Sequence, residues 1–292
     1  MGQINDERRS FAGTWNDVIK DLRTKIYFLS DVHLGSKMHA DSIDVERKLC
    51  SWFDMVRPDA RVIYLLGDIF DYWFEYRRAV PKGFTRVLGK MAELTDNGTE
   101  IHFFIGNHDI WLTDYLAKEC GLILHLEPLI TEHYNKKFYL AHGDGLGDKS
   151  KSLYIMRRIF HSPILRKAFA FLHPDWTIPL AHKWSNTSRE KGETPDFLGE
   201  EREYQIQFAK EQLKLTPDID YFIFGHRHIM LDIPIQPHSH VVILGDWIKY
   251  FSYAVFDENG IHLKQFETAS KQGTIMKPEN YWKGTEKISS TL

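Results

Sequence analysis

Eight side chains that bind metals or move protons stand directly after apolar runs. They are Asp31 and His33, Asp68, Asn107 and His108, His142, and His226 with His228. Most lie beside a glycine, which lets the backbone turn sharply. Carboxylate and carboxamide oxygens mixed with imidazole nitrogens suit manganese, iron or zinc better than an all-oxygen calcium site. The set is too large for one tetrahedral zinc. It matches two ions about 3.5–4 Å apart with a carboxylate between them. Such a pair binds a phosphoryl group, lowers the pKa of a shared water and stabilises the charge of an in-line displacement. No GxSxG, P-loop or GxGxxG stretch offers a competing chemistry. The residues alone point to hydrolysis of a phosphate ester or anhydride.

The elements that must position these groups are short buried strands. Ile26-Tyr27-Phe28-Leu29 runs into Ser30-Asp31-Val32-His33, and 61–66 ends in Gly67-Asp68. Residues 100–105 end in Gly106-Asn107-His108-Asp109, and 136–141 form a fourth strand before His142-Gly143-Asp144. Residues 221–224 lead to Gly225-His226-Arg227-His228, 240–244 lead to Gly245-Asp246-Trp247, and 253–256 with 261–266 read as a closing hairpin. Apolar spacing predicts helices over 44–57 and 84–94, and ordinary helix propensity a third over about 199–215. Strands alternating with helices build parallel βαβ units, and ligands bind beyond the carboxyl ends of such strands. His238 and His240 imitate the H-x-H pair but precede a strand, and are read as loop residues.

With 292 residues the chain has room for one large domain with an insertion. Its net charge of −3 gives no support to a nucleic-acid partner. Two cysteines without a CxxC fit a reducing compartment, and neither a signal peptide nor a membrane span is predicted. A cytoplasmic protein is expected. Between 149 and 191 nine lysines and arginines face two acids, interleaved with large apolar residues and broken by three prolines. The expected organisation is an N-terminal extension over 1–24, a core over 25–148 and 199–267, a basic, apolar helical cap over 149–198, and a polar tail over 268–292. A basic amphipathic helix suits an anionic membrane surface, so peripheral contact there is expected. Oligomeric state is not legible.

The D-x-H, G-D, G-N-H-D, H-G-D and G-H-x-H stretches follow the order and spacing of the calcineurin-like metallophosphoesterases, which the chain resembles from Lys25 to about Phe266. The resemblance implies an α/β fold, a four-layer αββα sandwich with two divalent ions at the strand ends. Manganese is favoured, with iron, zinc or magnesium as alternatives. Asp31, His33, Asp68 and His228 would hold one ion; Asp68, Asn107, His142 and His226 the other. His108 would touch the phosphate and protonate the leaving oxygen as the catalytic group. Asp71, Asp109 and Asp144 are expected to support the ligands.

A narrower similarity lies in Leu65-Leu66-Gly67-Asp68-Ile69-Phe70-Asp71-Tyr72-Trp73, in Leu244-Gly245-Asp246-Trp247 and in the basic insertion. These resemble the lipid A pathway family of UDP-2,3-diacylglucosamine pyrophosphatases. That likeness implies a lipid-nucleotide substrate, cut to UMP and 2,3-diacylglucosamine 1-phosphate by attack at the phosphorus nearest uridine. Substrate contacts are expected from Asn107, His108, His226, Asp148 and Lys149, and in the cap from Ser185, Asn186, Arg189 and Lys191. Tyr154, Phe160, Phe169 and Trp176 are candidates for an acyl groove. The pyrophosphatases of this kind typically carry arginine where this chain has His108. Other readings are a phosphodiesterase or phosphatase for small phosphate esters, and a metal-free scaffold on the same fold.

Overall fold

The computed structural model describes residues 23–147, 162–177 and 196–266. Expectations for Asp148, Lys149, Tyr154, Phe160, Ser185, Asn186, Arg189 and Lys191, and for nearly all of the extension and tail, lie outside the described residues.

Two sheets stack. The first contains β1 (Lys25–Leu29), β2 (Ala60–Leu65), β3 (Glu100–Phe104), β4 (Ile123–His125), β10 (Ser252–Asp257) and β11 (Gly260–Gln265), in the order β11-β10-β1-β2-β3-β4. The second contains β5 (Leu129–His133), β6 (Lys136–Leu140), β7 (Tyr221–Phe224), β8 (Met230–Gln236) and β9 (Ser239–Leu244), ordered β5-β6-β7-β9-β8. Pairing is parallel from β1 through β4 and from β6 through β7 to β9. The helices are α1 (Ser42–Val56), α2 (Thr85–Asp96), α3 (Tyr115–Cys120), α4 (Pro163–Ala170) and α5 (Tyr204–Leu215).

The two-residue alternation of strands sorts side chains into three apolar layers. Ile26 and Phe28 of β1 meet Val62, Phe138, Ile223 and Val242 between the sheets. Tyr27 and Leu29 point the other way, under Leu49, Trp52 and Phe53 of α1 and Val87 and Met91 of α2. On the far face of the second sheet, Phe222, Phe224, Val241 and Ile243 pack on Ile206, Ala209 and Leu213 of α5. Helix, sheet, sheet, helix is the expected four-layer sandwich. Cover on both faces explains why the parallel strands read as continuous apolar runs.

Four elements are additions to the expected order: α3, β4, β5 and β8. Strand β8 carries Pro234, tolerated because β8 is an edge strand. Helix α5 starts at Tyr204, five residues later than the expected start near 199. The preceding turn spends Glu203 on a buried ion pair, while the Arg202 N–H donates to the Gly199 carbonyl. His240 belongs to β9, not to a loop; its N–H donates to the Asp220 carbonyl and its Nδ1 lies 3.2 Å from Asp232.

At the β2–β5 side, the Tyr64 hydroxyl lies 2.7 Å from His133 Nε2, and His102 Nδ1 lies 2.7 Å from His125 Nε2. Burial pushes His125 and His133 down to about 4. Below pH 6.5 the unfolded chain takes up protons that these folded rings refuse, so stability falls as pH drops from 6.5 toward 4. Discounted for solvent screening, each ring is worth about 1 kcal/mol, roughly 2–4 °C in Tm. Melting curves of His133→Gln against the parent across that range check this. An equal slope for both proteins would contradict it.

Candidate metal centre

Six loops leave the carboxyl ends of β1, β2, β3, β6, β7 and β9 and converge. Backbone bonds tie them: His33 N–H donates to the Asp68 carbonyl at 3.0 Å, Gly225 N–H to the His142 carbonyl at 2.8 Å, and Trp247 N–H to the Asp31 carbonyl at 3.0 Å. Asp31, His33, Asp68, His226 and His228 all take positive φ, between 50° and 69°. Such conformations cost of order 1–3 kcal/mol each outside glycine and persist where the surroundings over-determine them. Two glycines leave room for the ligand carboxylates. A Cβ on Gly106 would sit 2.2 Å from Asp68 Oδ1, and one on Gly225 2.5 Å from Asp31 Oδ2.

Three sets of donor atoms result: Asp31, His33 and His228; His33, Asp68 and His108; and Asp68, His142 and His226. His33 Nε2 lies 3.3 Å from His228 Nε2 and 3.8 Å from both Asp31 Oδ1 and Asp68 Oδ2. Across the centre, His142 Nε2 lies 3.4 Å from Asp68 Oδ2 and 3.2 Å from Asn107 Oδ1. Asp68 belongs to both sides.

Groups behind the rings orient them. His142 Nδ1–H donates to the Leu66 carbonyl at 2.8 Å, which sets the ring's orientation and turns Nε2 inward. His228 Nδ1 lies 3.2 Å from Asp246 Oδ2, and Asp246 Oδ1 accepts the N–H groups of Ile248, Lys249 and Tyr250. Asp71 stands 3.7 Å from Nδ1 of both His33 and His108. Asp109 accepts backbone N–H groups from Gly106 at 2.6 Å and Ile69 at 3.0 Å, clamping the two loops together. Asp144 lies in the loop after His142, and its charge helps to raise that ring's pKa. Sequence reasoning left the role of Asp246 open. Its signal was present, because Leu244-Gly245-Asp246 repeats the strand-glycine-aspartate order of Leu66-Gly67-Asp68.

A divalent cation fits this donor set. Asp31 Oδ1 is buried and accepts no hydrogen bond, although it faces two imidazole nitrogens. Burial raises the Asp31 carboxyl above its usual range, with the Asp68 charge adding to the rise. Burial pushes His226 down to about 3, helped by His142. Burial would lower His142 as well, but the Asp68 carboxylate beside it prevails and holds it well above its usual value.

Between the two histidines of the last loop, Arg227 is buried and makes a two-pronged ion pair with Glu203, both bonds at 3.0 Å. Removing one partner strands a buried charge, at a cost of about 3–5 kcal/mol. Glu203→Ala is expected to lower Tm clearly, whereas Glu203→Leu combined with Arg227→Met recovers much of the loss. Thermal melts of both variants decide this; an unchanged Tm in Glu203→Ala would refute it.

Helix α4 meets the site loops through Phe169, whose ring lies 4.9 Å from Phe74 and 4.7 Å from Trp111. Trp176 is instead 73% exposed.

Residues 24–230 match the family described as calcineurin-like phosphoesterase. A Porphyromonas gingivalis protein named UDP-2,3-diacylglucosamine hydrolase is 49% identical over 259 residues, 84% of this chain and 99% of that one. A Hahella chejuensis protein of the same name is 27% identical, over 81% of this chain and 95% of that one. Among solved structures, a phosphoesterase from E. coli is similar at a TM-score of 0.44 and 13% identity, covering 87% of this chain and 97% of that one.

Proposed function

The chain belongs to the calcineurin-like phosphoesterase family, and from that premise we propose that it hydrolyses the diphosphate of UDP-2,3-diacylglucosamine, releasing UMP and 2,3-diacylglucosamine 1-phosphate for lipid A synthesis. The observation that carries the substrate is the 49% identity spanning 99% of the Porphyromonas gingivalis hydrolase.

Asp31, His33, Asp68 and His228 hold one ion in this reading, and Asp68, Asn107, His142 and His226 hold the other. Manganese suits the mixed oxygen and imidazole donors. Bound there, the two ions supply Lewis acidity to the phosphoryl oxygens and a water of lowered pKa. His108 turns Nδ1 to the Asp71 carbonyl at 3.2 Å and Nε2 toward the centre, where it meets a phosphate oxygen and hands it a proton. Asn107 and His226 would contact the same phosphate. Asp71, Asp109, Asp144 and Asp246 keep the ligands aimed.

In this reading α4, which packs on the site loops through Phe169, takes the acyl chains. Phe171 and Trp176 are 91% and 73% exposed near Arg166 and Lys167, a pattern that suits peripheral contact with an anionic membrane. No helix among the described residues is long and apolar enough to cross a membrane. Co-sedimentation of the full chain with phosphatidylglycerol vesicles tests that contact; protein left entirely in the supernatant would overturn it.

The substrate is tested by manganese-dependent release of UMP from UDP-2,3-diacylglucosamine, beside bis-p-nitrophenyl phosphate and UDP-N-acetylglucosamine. Strong preference for the diacylated compound is expected. Equal or faster turnover of the small compounds would leave a phosphodiesterase and remove the lipid substrate.

A further inference from the structure

Buried polar side chains at the start of α5 reach the loops that carry the histidines. Glu203 and Gln205 are fully buried, and Arg227 is 4% exposed. Besides its two bonds to Glu203, the Arg227 guanidinium donates through Nη2 to the Asp196 carbonyl at 3.3 Å. Glu203 Oε1 also accepts the Leu198 N–H at 3.0 Å, so the ion pair is sewn into the turn by which the chain enters α5. Two residues on, Gln205 Nε2 donates to the Gly225 carbonyl at 3.0 Å. A Cβ on Gly143, next to His142, would lie 2.1 Å from that same Nε2. The start of α5 thus abuts the loop after β6 and grips the loop after β7 at two points.

The loop after β7 needs this grip. His226 and His228 take φ of 69° and 52°, and between them the Arg227 N–H donates to the Gly225 carbonyl only two residues back, at 2.8 Å. Such a turn persists only where its surroundings over-determine it. Stability alone does not call for a charged pair here, because apolar residues of similar volume are often as stable in place of a buried ion pair. What a two-pronged guanidinium–carboxylate pair adds is fixed geometry. That geometry passes to the residues on either side of Arg227, and both are metal ligands in the two-ion reading.

We propose that Glu203 and Arg227 are positioning residues for the metal ions, holding the loop from His226 to His228 in its ligating geometry. The inference rests on the two-ion reading above. His228 serves one ion there and His226 the other, so disturbing the pair weakens both.

Calorimetric titration of the metal-free full chain with manganese chloride tests it, beside thermal melts of the same metal-free proteins. Wild type is compared with Glu203→Leu/Arg227→Met and with Arg227→Lys. The double variant is expected to keep most of the wild-type Tm and to bind manganese about 10–100-fold more weakly at both sites, the range for a group that orients a metal ligand. Arg227→Lys keeps the charge and gives up the fork, and is expected to weaken both sites by about tenfold. A purely structural pair would move Tm and leave the manganese affinity of the folded protein unchanged. A manganese Kd within twofold of wild type in either folded variant would overturn the proposal. Weakening of one ion with the other held as in wild type would overturn it too. Arg227→Lys carries the test if the double variant does not fold. Uptake of fewer than two ions by wild type would instead bring down the two-ion reading itself.

Discussion

Asp68→Ala is expected to lose both metal ions together, not one. Its Oδ2 is 3.8 Å from His33 Nε2 on one side and 3.4 Å from His142 Nε2 on the other. One carboxylate thus serves both donor sets, and its removal leaves each with a missing anion. Turnover should fall by more than the roughly 10²–10³ that a single stabilising donor is worth, because two sources of charge stabilisation go at once. The fold should survive, since the bond from His33 N–H to the Asp68 carbonyl uses the main chain. Metal analysis after dialysis, read beside far-UV circular dichroism, checks the prediction. Retention of one ion per chain would mean that Asp68 belongs to a single site.

His108→Gln is expected to cut turnover by about 10²–10⁴, the range for a positioned proton donor, while leaving metal content at the wild-type level. His108 approaches the centre closely enough for a different outcome. Its Nε2 lies 3.9 Å from Asp68 Oδ2, and its ring meets His33 edge-on at 4.8 Å. Those three side chains form a donor set of their own. Loss of an ion in His108→Gln would therefore make His108 a ligand. Unchanged metal with slow turnover would keep it on the substrate side.

The legible parts of this molecule were those with a local signature. Ile26 to Leu29 is buried on both faces, so its apolar run and the Asp31-Val32-His33 that follows stand out in the sequence. The same holds for 62–66, 101–104 and 222–224. Strand β5 is half-exposed along its length and β4 has only three residues, so neither has a pattern to recognise. Strand β8 is masked by Pro234, which only its edge position permits. Asp246 follows the local grammar of the ligands, but its role behind His228 depends on two loops meeting across 18 residues.

The most direct measurement is hydrolysis of UDP-2,3-diacylglucosamine in ¹⁸O-labelled water, with both products weighed by mass spectrometry. Attack at the phosphorus nearest uridine yields UMP carrying one labelled oxygen and an unlabelled 2,3-diacylglucosamine 1-phosphate. Label in the sugar phosphate would put the attack on the other phosphorus. Release of intact UDP, or no cleavage by the manganese-loaded protein, would contradict the account.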